Sequence, residues 1–233
     1  MKHYIIIRFN YPKDYIHIKD RIDLFNQLTY PSLINQTEKN FKVLIIGHPD
    51  IKLPHLNHAF LDFKQHSAVK DFDINPVKQF IFADLGSEKR LITSRLDNDD
   101  ILLPDYVKTI QKLAAGSDLN QLIETKGYFF DIRTQKLYIS NRYSKDVTSP
   151  FSSLSERSVN FNTVFRAKHS SMGKYYPVLF SKIFGWIQVI HKHNQMMNRL
   201  KISQMGIETG LSALPDLLRE DSDWMNYYSG DYL

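Results

Sequence analysis

Between Leu96 and Ile101 the chain reads Asp97-Asn98-Asp99-Asp100, three carboxylates within four residues. An apolar run, Leu91-Ile92-Thr93-Ser94, leads into it and Arg95 precedes it. Carboxylates this close repel one another, and the cluster is stable if water solvates it or a cation neutralises it. Oxygen ligands suit a hard divalent ion, magnesium or manganese, better than zinc or copper. A second reading gives Asp99 or Asp100 a plain role, capping the helix that Pro104 opens. A calcium loop of the EF-hand type starting at Asp97 would need an oxygen ligand at Ile101, Gly at Leu102 and Glu at Lys108, and it fails at all three. An aspartyl nucleophile of the phosphoryl-transfer type also uses Asp-x-Asp after an apolar strand, but nearer the start of a chain.

The elements that must hold this motif follow from hydrophobic periodicity. Residues 3–9 and 43–46 read as buried strands, and 91–96 as the strand that carries the acidic turn. Residues 16–35 have a helical pattern through Ile18, Ile22, Phe25 and Leu28, kinked near Pro31. Val107, Ile110 and Leu113 place a second helix over 104–115, ending at Gly116. A loop is expected over 48–57, a short helix near 56–65 and a third strand within 67–82. In the second half Tyr128-Phe129-Phe130-Asp131 and Lys136-Leu137-Tyr138-Ile139 flank a polar turn and read as a hairpin. Residues 141–160 are Ser-rich and read as a long loop, 162–166 and 186–190 as strands, and 211–228 as a final helix. Strand, acidic turn and helix in that order put the motif at the carboxyl end of a strand, where open α/β sheets bind ligands.

With 233 residues, 42% hydrophobic and 24% charged, the chain can bury one substantial core. It has no cysteine, which excludes disulfides and thiol chemistry. No apolar run approaches the ~18 residues of a membrane span, and Met1-Lys2-His3-Tyr4-Ile5-Ile6-Ile7 followed by Arg8 reads as a first strand rather than a signal peptide. The net charge of +5 is uneven, because residues 216–233 carry −4 and the remainder +9. That surplus attracts anions such as nucleotide diphosphates or lipid headgroups. The basic residues are scattered and no nucleic-acid-binding signature is visible, so nucleic acid is not an expected partner.

Ser94-Arg95-Leu96-Asp97-Asn98-Asp99-Asp100 resembles the Asp-x-Asp region of GT-A-fold glycosyltransferases, most of all the bacterial rhamnosyltransferase-like family. Ile5-Ile6-Ile7-Arg8-Phe9-Asn10 resembles that family's first strand and nucleotide-facing turn. Thr29-Tyr30-Pro31-Ser32-Leu33-Ile34-Asn35-Gln36-Thr37 resembles the end of its first helix, and Trp186-Ile187-Gln188-Val189-Ile190-His191-Lys192-His193-Asn194 its late strand. The resemblance spans roughly residues 4–200. It implies an α/β fold, a single Rossmann-like GT-A domain over 1–233 with a mixed central sheet. About 1–116 would form the nucleotide-sugar half and about 117–233 the acceptor half.

The resemblance also implies roles. Asp99 would coordinate Mn2+ or Mg2+, with Asp97 on the ribose or on the metal through water and Asp100 in support. Asn98 would point away if the turn stays strand-like. A third metal ligand would come from His191 or His193, which share a face at the end of a strand. Arg95 would reach the diphosphate, or else pair with the acidic turn. The site where GT-A proteins place a base-recognising Asp reads Gly47-His48-Pro49-Asp50 here, a departure from the pattern that would leave base recognition to Arg8, Asn10 or Asp50. Glu156, in the long Ser-rich loop, is the candidate base for the acceptor hydroxyl. The expected enzyme moves a sugar, rhamnose by family, from a nucleotide-sugar donor to a glycan or lipid-linked glycan acceptor in surface-polysaccharide biosynthesis. It would act in the cytoplasm, with room for peripheral contact at the inner face of the membrane. An Asp-x-Asp phosphoryl-transfer enzyme and a catalytically silent nucleotide- or sugar-binding module of the same fold are the alternatives.

Overall fold

The structure, a computed structural model, describes residues 1–9, 18–47, 62–67, 74–141, 148–191 and 206–210. Among them a single mixed sheet of ten strands runs β10-β7-β6-β8-β4-β1-β2-β3, with β9 beside β6 and β5 on β9. The strands are β1 Lys2–Arg8, β2 Lys42–Gly47, β3 Asp62–Ser67, β4 Arg90–Asp97, β5 Ile101–Leu102, β6 Gln121–Asp131, β7 Lys136–Ser140, β8 Ser153–Arg157, β9 Val178–Ile190 and β10 Gly206–Thr209. β3, β2, β1 and β4 are mutually parallel, and β8 lies antiparallel between β4 and β6.

Tyr4-Ile5-Ile6-Ile7 is apolar at every position because β1 is covered on both faces, as parallel strands are. Ile5 and Ile7 pack with Phe25, Leu33, Leu96 and Ile110 from one side. Tyr4 and Ile6 pack with Val77, Ile81 and Phe161 from the other. Helices α1 (Ile18–Leu24), α2 (Tyr30–Ile34) and α4 (Tyr106–Ala115) lie on the first face and α3 (Asn75–Leu85) on the second. Between α1 and α2 the chain widens into a π turn over Phe25–Thr29, where the Tyr30 N–H donates to the Phe25 carbonyl. The expected kink near Pro31 takes this form. Proline cannot donate to the carbonyl four residues back, and the wider bonding lies immediately before it.

Four expectations are corrected. The third strand is β3 at 62–67, not within 67–82, and it also replaces the end of the expected 56–65 helix. Asp62-Phe63-Lys64-Gln65-His66-Ser67 has too little apolar character to announce a strand, and pairing with β2 makes it one. Residues 75–85 form α3 instead, with Val77, Ile81 and Leu85 buried at helical spacing after Pro76 in the first turn. The Ser-rich segment is not all loop, because Ser153–Arg157 is a central strand. Ser153 is tolerated inside because its hydroxyl meets those of Ser94 at 2.5 Å and Tyr106 at 2.9 Å. Residues 162–166 form no strand: the Asn162 and Thr163 N–H groups donate to Glu156, and the Val164 N–H to the Thr93 hydroxyl. The 48–57 loop and the 211–228 helix lie outside the described residues.

Candidate active site at the carboxyl edge of the sheet

Strand β4 ends at Asp97, and the turn that follows carries Asn98, Asp99 and Asp100, all three buried. The hydrogen bonds made by the segment after α2 explain how so acidic a turn is fixed in place. Gln36 donates through Nε2 to the carbonyls of Ser32 and Leu103, each at 2.9 Å, and accepts the Val107 N–H at 3.0 Å. The Ser32 hydroxyl accepts the Leu102 N–H, and the Thr37 N–H donates to the Pro104 carbonyl at 2.8 Å. From the π turn, the Thr29 hydroxyl donates to the Asp100 carbonyl at 2.8 Å. The Pro-Ser-Leu-x-x-Gln block and its two flanking threonines therefore clamp the segment that leaves the acidic turn, from Asp100 to Val107.

Asp99 and His191 come from positions 92 residues apart, and His191 Nε2 stands 2.9 Å from Asp99 Oδ2 with the histidine fully buried. The same carboxylate oxygen accepts a hydrogen bond from Arg21 Nη1 of α1 at 3.1 Å, and Nη1 also donates to Asn98 Oδ1 at 3.2 Å. Burial alone would raise the Asp99 carboxyl, but the His191 hydrogen bond and the Arg21 charge outweigh it and hold it below the usual range. Asp100 goes the other way: burial first, then the charges of Asp99 and Asp97, push it well up. Its Oδ1 accepts the Val189 N–H at 2.8 Å, which fixes the end of β9 against the turn. Neither Asp99 nor Asp100 caps α4, whose N-cap residue is Asp105. Asn98 does not point away, because the chain leaves the strand after Asp97 and the alternation of side chains stops there.

Asp97 is more exposed and pairs with Arg95, whose Nη2 lies 3.2 Å from Oδ1. Arg95 also places its guanidinium over the Phe165 ring at 5.3 Å. Arg8 ends β1 in register with Asp97 and is exposed at the same edge. The structure thus gathers Arg8, Arg95, Asp97, Asp99 and His191 at one end of the parallel strands. Asn10, Asp50 and His193 lie outside the described residues.

Glu156 is not brought to this edge. It pairs with Leu91 on β4, six residues before Asp97, roughly 20 Å along the strand. Its buried carboxylate accepts the Asn162 and Thr163 N–H groups at 3.1 and 2.9 Å and the Tyr176 hydroxyl at 3.3 Å. Burial raises its pKa against those bonds. Arg21 was not a sequence candidate, since nothing in its local helical pattern separates it from any surface arginine.

Two features bear on a divalent cation. The 2.9 Å between Asp99 Oδ2 and His191 Nε2 suits neighbouring ligands in an octahedral shell with bonds of about 2.1 Å. Among the described residues no three His, Cys, Asp or Glu side chains converge on one ion. The pair therefore fits an ion completed by phosphate oxygens and water, as magnesium sites usually are. Arg21 opposes such an ion: unit charges 4 Å apart interact by about 4 kcal/mol at an effective dielectric of 20. A divalent ion would feel roughly twice that, more than the ~1.5–3 kcal/mol of a charged hydrogen bond.

The sequence matches the family described as "Putative rhamnosyl transferase" over residues 6–201. No curated protein matches it significantly. Among solved structures it is similar to S. aureus TarS 1-349 in complex with UDP-GlcNAc, at TM-score 0.54 and 12% identity, covering 86% of this chain and 62% of that one. TarS 1-349 in a second structure gives TM-score 0.52 and 13% identity, with 81% and 60% covered. TarS 1-349 in complex with UDP gives 0.50 and 11%, with 82% and 61% covered. The chain thus spans about three fifths of the TarS fragment. At these identities the likeness is one of fold, the GT-A-like arrangement of a glycosyltransferase.

Proposed function

The chain belongs to the rhamnosyl transferase family, and from that premise we propose that it is a metal-dependent glycosyltransferase using a nucleotide-sugar donor at the carboxyl edge of β1 and β4. The observation that carries this reading is the meeting of Asp99 and His191 in the acidic turn. Sugar transfer breaks the bond from the anomeric carbon to a diphosphate, which gains negative charge as it leaves. A bound Mn2+ or Mg2+ would supply Lewis-acid stabilisation of that charge. Asp99 and His191 would hold the ion, Asp97 would face the ribose or the ion's water, and Arg8 and Arg95 would bind the donor's anionic part. The UDP-GlcNAc and UDP of the TarS structures support a nucleoside diphosphate as the donor's handle. The family supports rhamnose as the sugar, and a surface-glycan precursor is the proposed acceptor. The place of Glu156 away from the acidic turn gives it a structural role in this reading, pinning residues 162–163 beneath β8.

The test is calorimetric titration of a panel of nucleoside diphosphates, with and without Mn2+, into wild type and Asp99→Ala. At least one nucleotide should bind wild type in a Mn2+-dependent way and lose that dependence in the variant, while the circular dichroism spectrum stays unchanged. Full metal-dependent affinity in Asp99→Ala would reduce the acidic motif to a structural turn. Donor hydrolysis by wild type separates the transferase from a silent binding module.

A further inference from the structure

We propose that Arg21 is a built-in counter-cation of the acidic turn, which holds Asp99 without metal and must leave Asp99 Oδ2 for a divalent ion to bind. This rests on the metal reading above. Arg21 reaches the turn from α1, 78 residues before Asp99 in sequence, and places Nη1 on Asp99 Oδ2 at 3.1 Å and on Asn98 Oδ1 at 3.2 Å. Both side chains of the ion pair are largely buried, with 12% and 8% of their side-chain surface exposed, so water screens the charges little. The oxygen that Arg21 holds is also the one 2.9 Å from His191 Nε2. Arg21 Nη1 and His191 Nε2 therefore already meet Oδ2, and an ion ligated there by Asp99 and His191 needs that position and the imidazole in its Nδ1–H tautomer, with Nε2 free of its proton. Guanidinium and ion carry the same sign, so in a buried site each weakens the other's hold on that oxygen. The consequence is a site whose carboxylate is neutralised in either state, by its own arginine or by the cofactor. Metal affinity is lowered by the need to displace that arginine.

The experiment measures binding of Mn2+ alone, by water-proton relaxation, to wild type, Arg21→Met, Arg21→Lys and Asp99→Asn. Methionine keeps most of the packing of the arginine stem while removing the charge. Arg21→Met should bind Mn2+ about tenfold more tightly than wild type, the equivalent of removing a competitor worth about 1.4 kcal/mol. Arg21→Lys, which keeps the charge, should stay near wild type, and Asp99→Asn should lose the binding. Arg21→Gln serves in place of Arg21→Met if the latter does not fold. Unchanged or weaker binding in the uncharged variants, with binding still lost in Asp99→Asn, overturns the counter-cation and leaves the metal reading intact. If neither wild type nor an uncharged variant binds Mn2+ alone, the counter-cation falls, while the metal reading is decided separately by the Mn2+ dependence of nucleoside diphosphate binding.

Discussion

Asp99 and Asp100 are adjacent and both buried, yet their surroundings shift their carboxyl pKa values in opposite directions. A third buried acid, Glu124, shows the same dependence on partners. It accepts hydrogen bonds from the Ser149 N–H at 3.2 Å, the Ser149 hydroxyl at 2.7 Å and the Ser152 hydroxyl. Burial outweighs those donors and pushes it from 4.5 up to about 7. Folding therefore favours its protonated form. Its contribution is fully present below pH 4.5, falls as the pH rises toward 7 and is lost above that. Glu124→Gln cannot ionise, so its stability relative to wild type should improve by roughly 3 kcal/mol between those pH values. Urea denaturation at pH 4.5 and pH 7.5 reads the difference, and an equal gap at both would remove Glu124 from the pH dependence.

At the scale of elements, β6 and β9 meet with a register shift at Lys126 and Gly127. Gly127 lies opposite Trp186, and a Cβ there would sit 2.1 Å from the indole ring. The ring has no space to retreat, because Phe151 stacks on it at 4.3 Å and its Nε1–H donates to the Thr125 carbonyl. Gly127→Ala should therefore cost about 3 kcal/mol or more, the upper range for overpacking. Chemical denaturation measures this, and a loss under about 1 kcal/mol would show that the β6–β9 contact yields easily. The effect should extend to the site, since β9 ends at Ile190 directly before His191.

For the whole molecule, the division near residue 116 does not divide the sheet. β8, from the second half, lies between β4 and β6, and β9 pairs with β5 from the first half. Removing residues 117–233 would leave β4 as an open, apolar edge without β8. The fragment 1–116 should consequently fail to fold alone, while the full chain should unfold in one transition, with coincident near- and far-ultraviolet dichroism curves. A fragment with native near-ultraviolet dichroism would mean that the halves are separable. Among the described residues no helix is long and apolar enough to cross a membrane.

The sequence by itself determined the elements whose burial is complete or strongly periodic: β1, β2, β4, α4 and the β6–β7 hairpin. There the apolar pattern and the punctuation at Pro104 and Gly116 are local signals. It also marked the acidic turn, because three carboxylates cannot crowd together without compensation, and the Pro-Ser-Leu-x-x-Gln block, by resemblance, though not its work as a clamp. Tertiary structure alone decided β3 and β8, strands formed by backbone pairing with neighbours rather than by side-chain pattern. It decided where Glu156 goes, since a Ser-rich segment reads as loop until buried hydroxyls find partners across strands. It also chose the cation that faces Asp99. Arg21 and His191 are distant from the turn in sequence, and only the packing of α1 and β9 against β4 brings their charge and ring nitrogen to one oxygen.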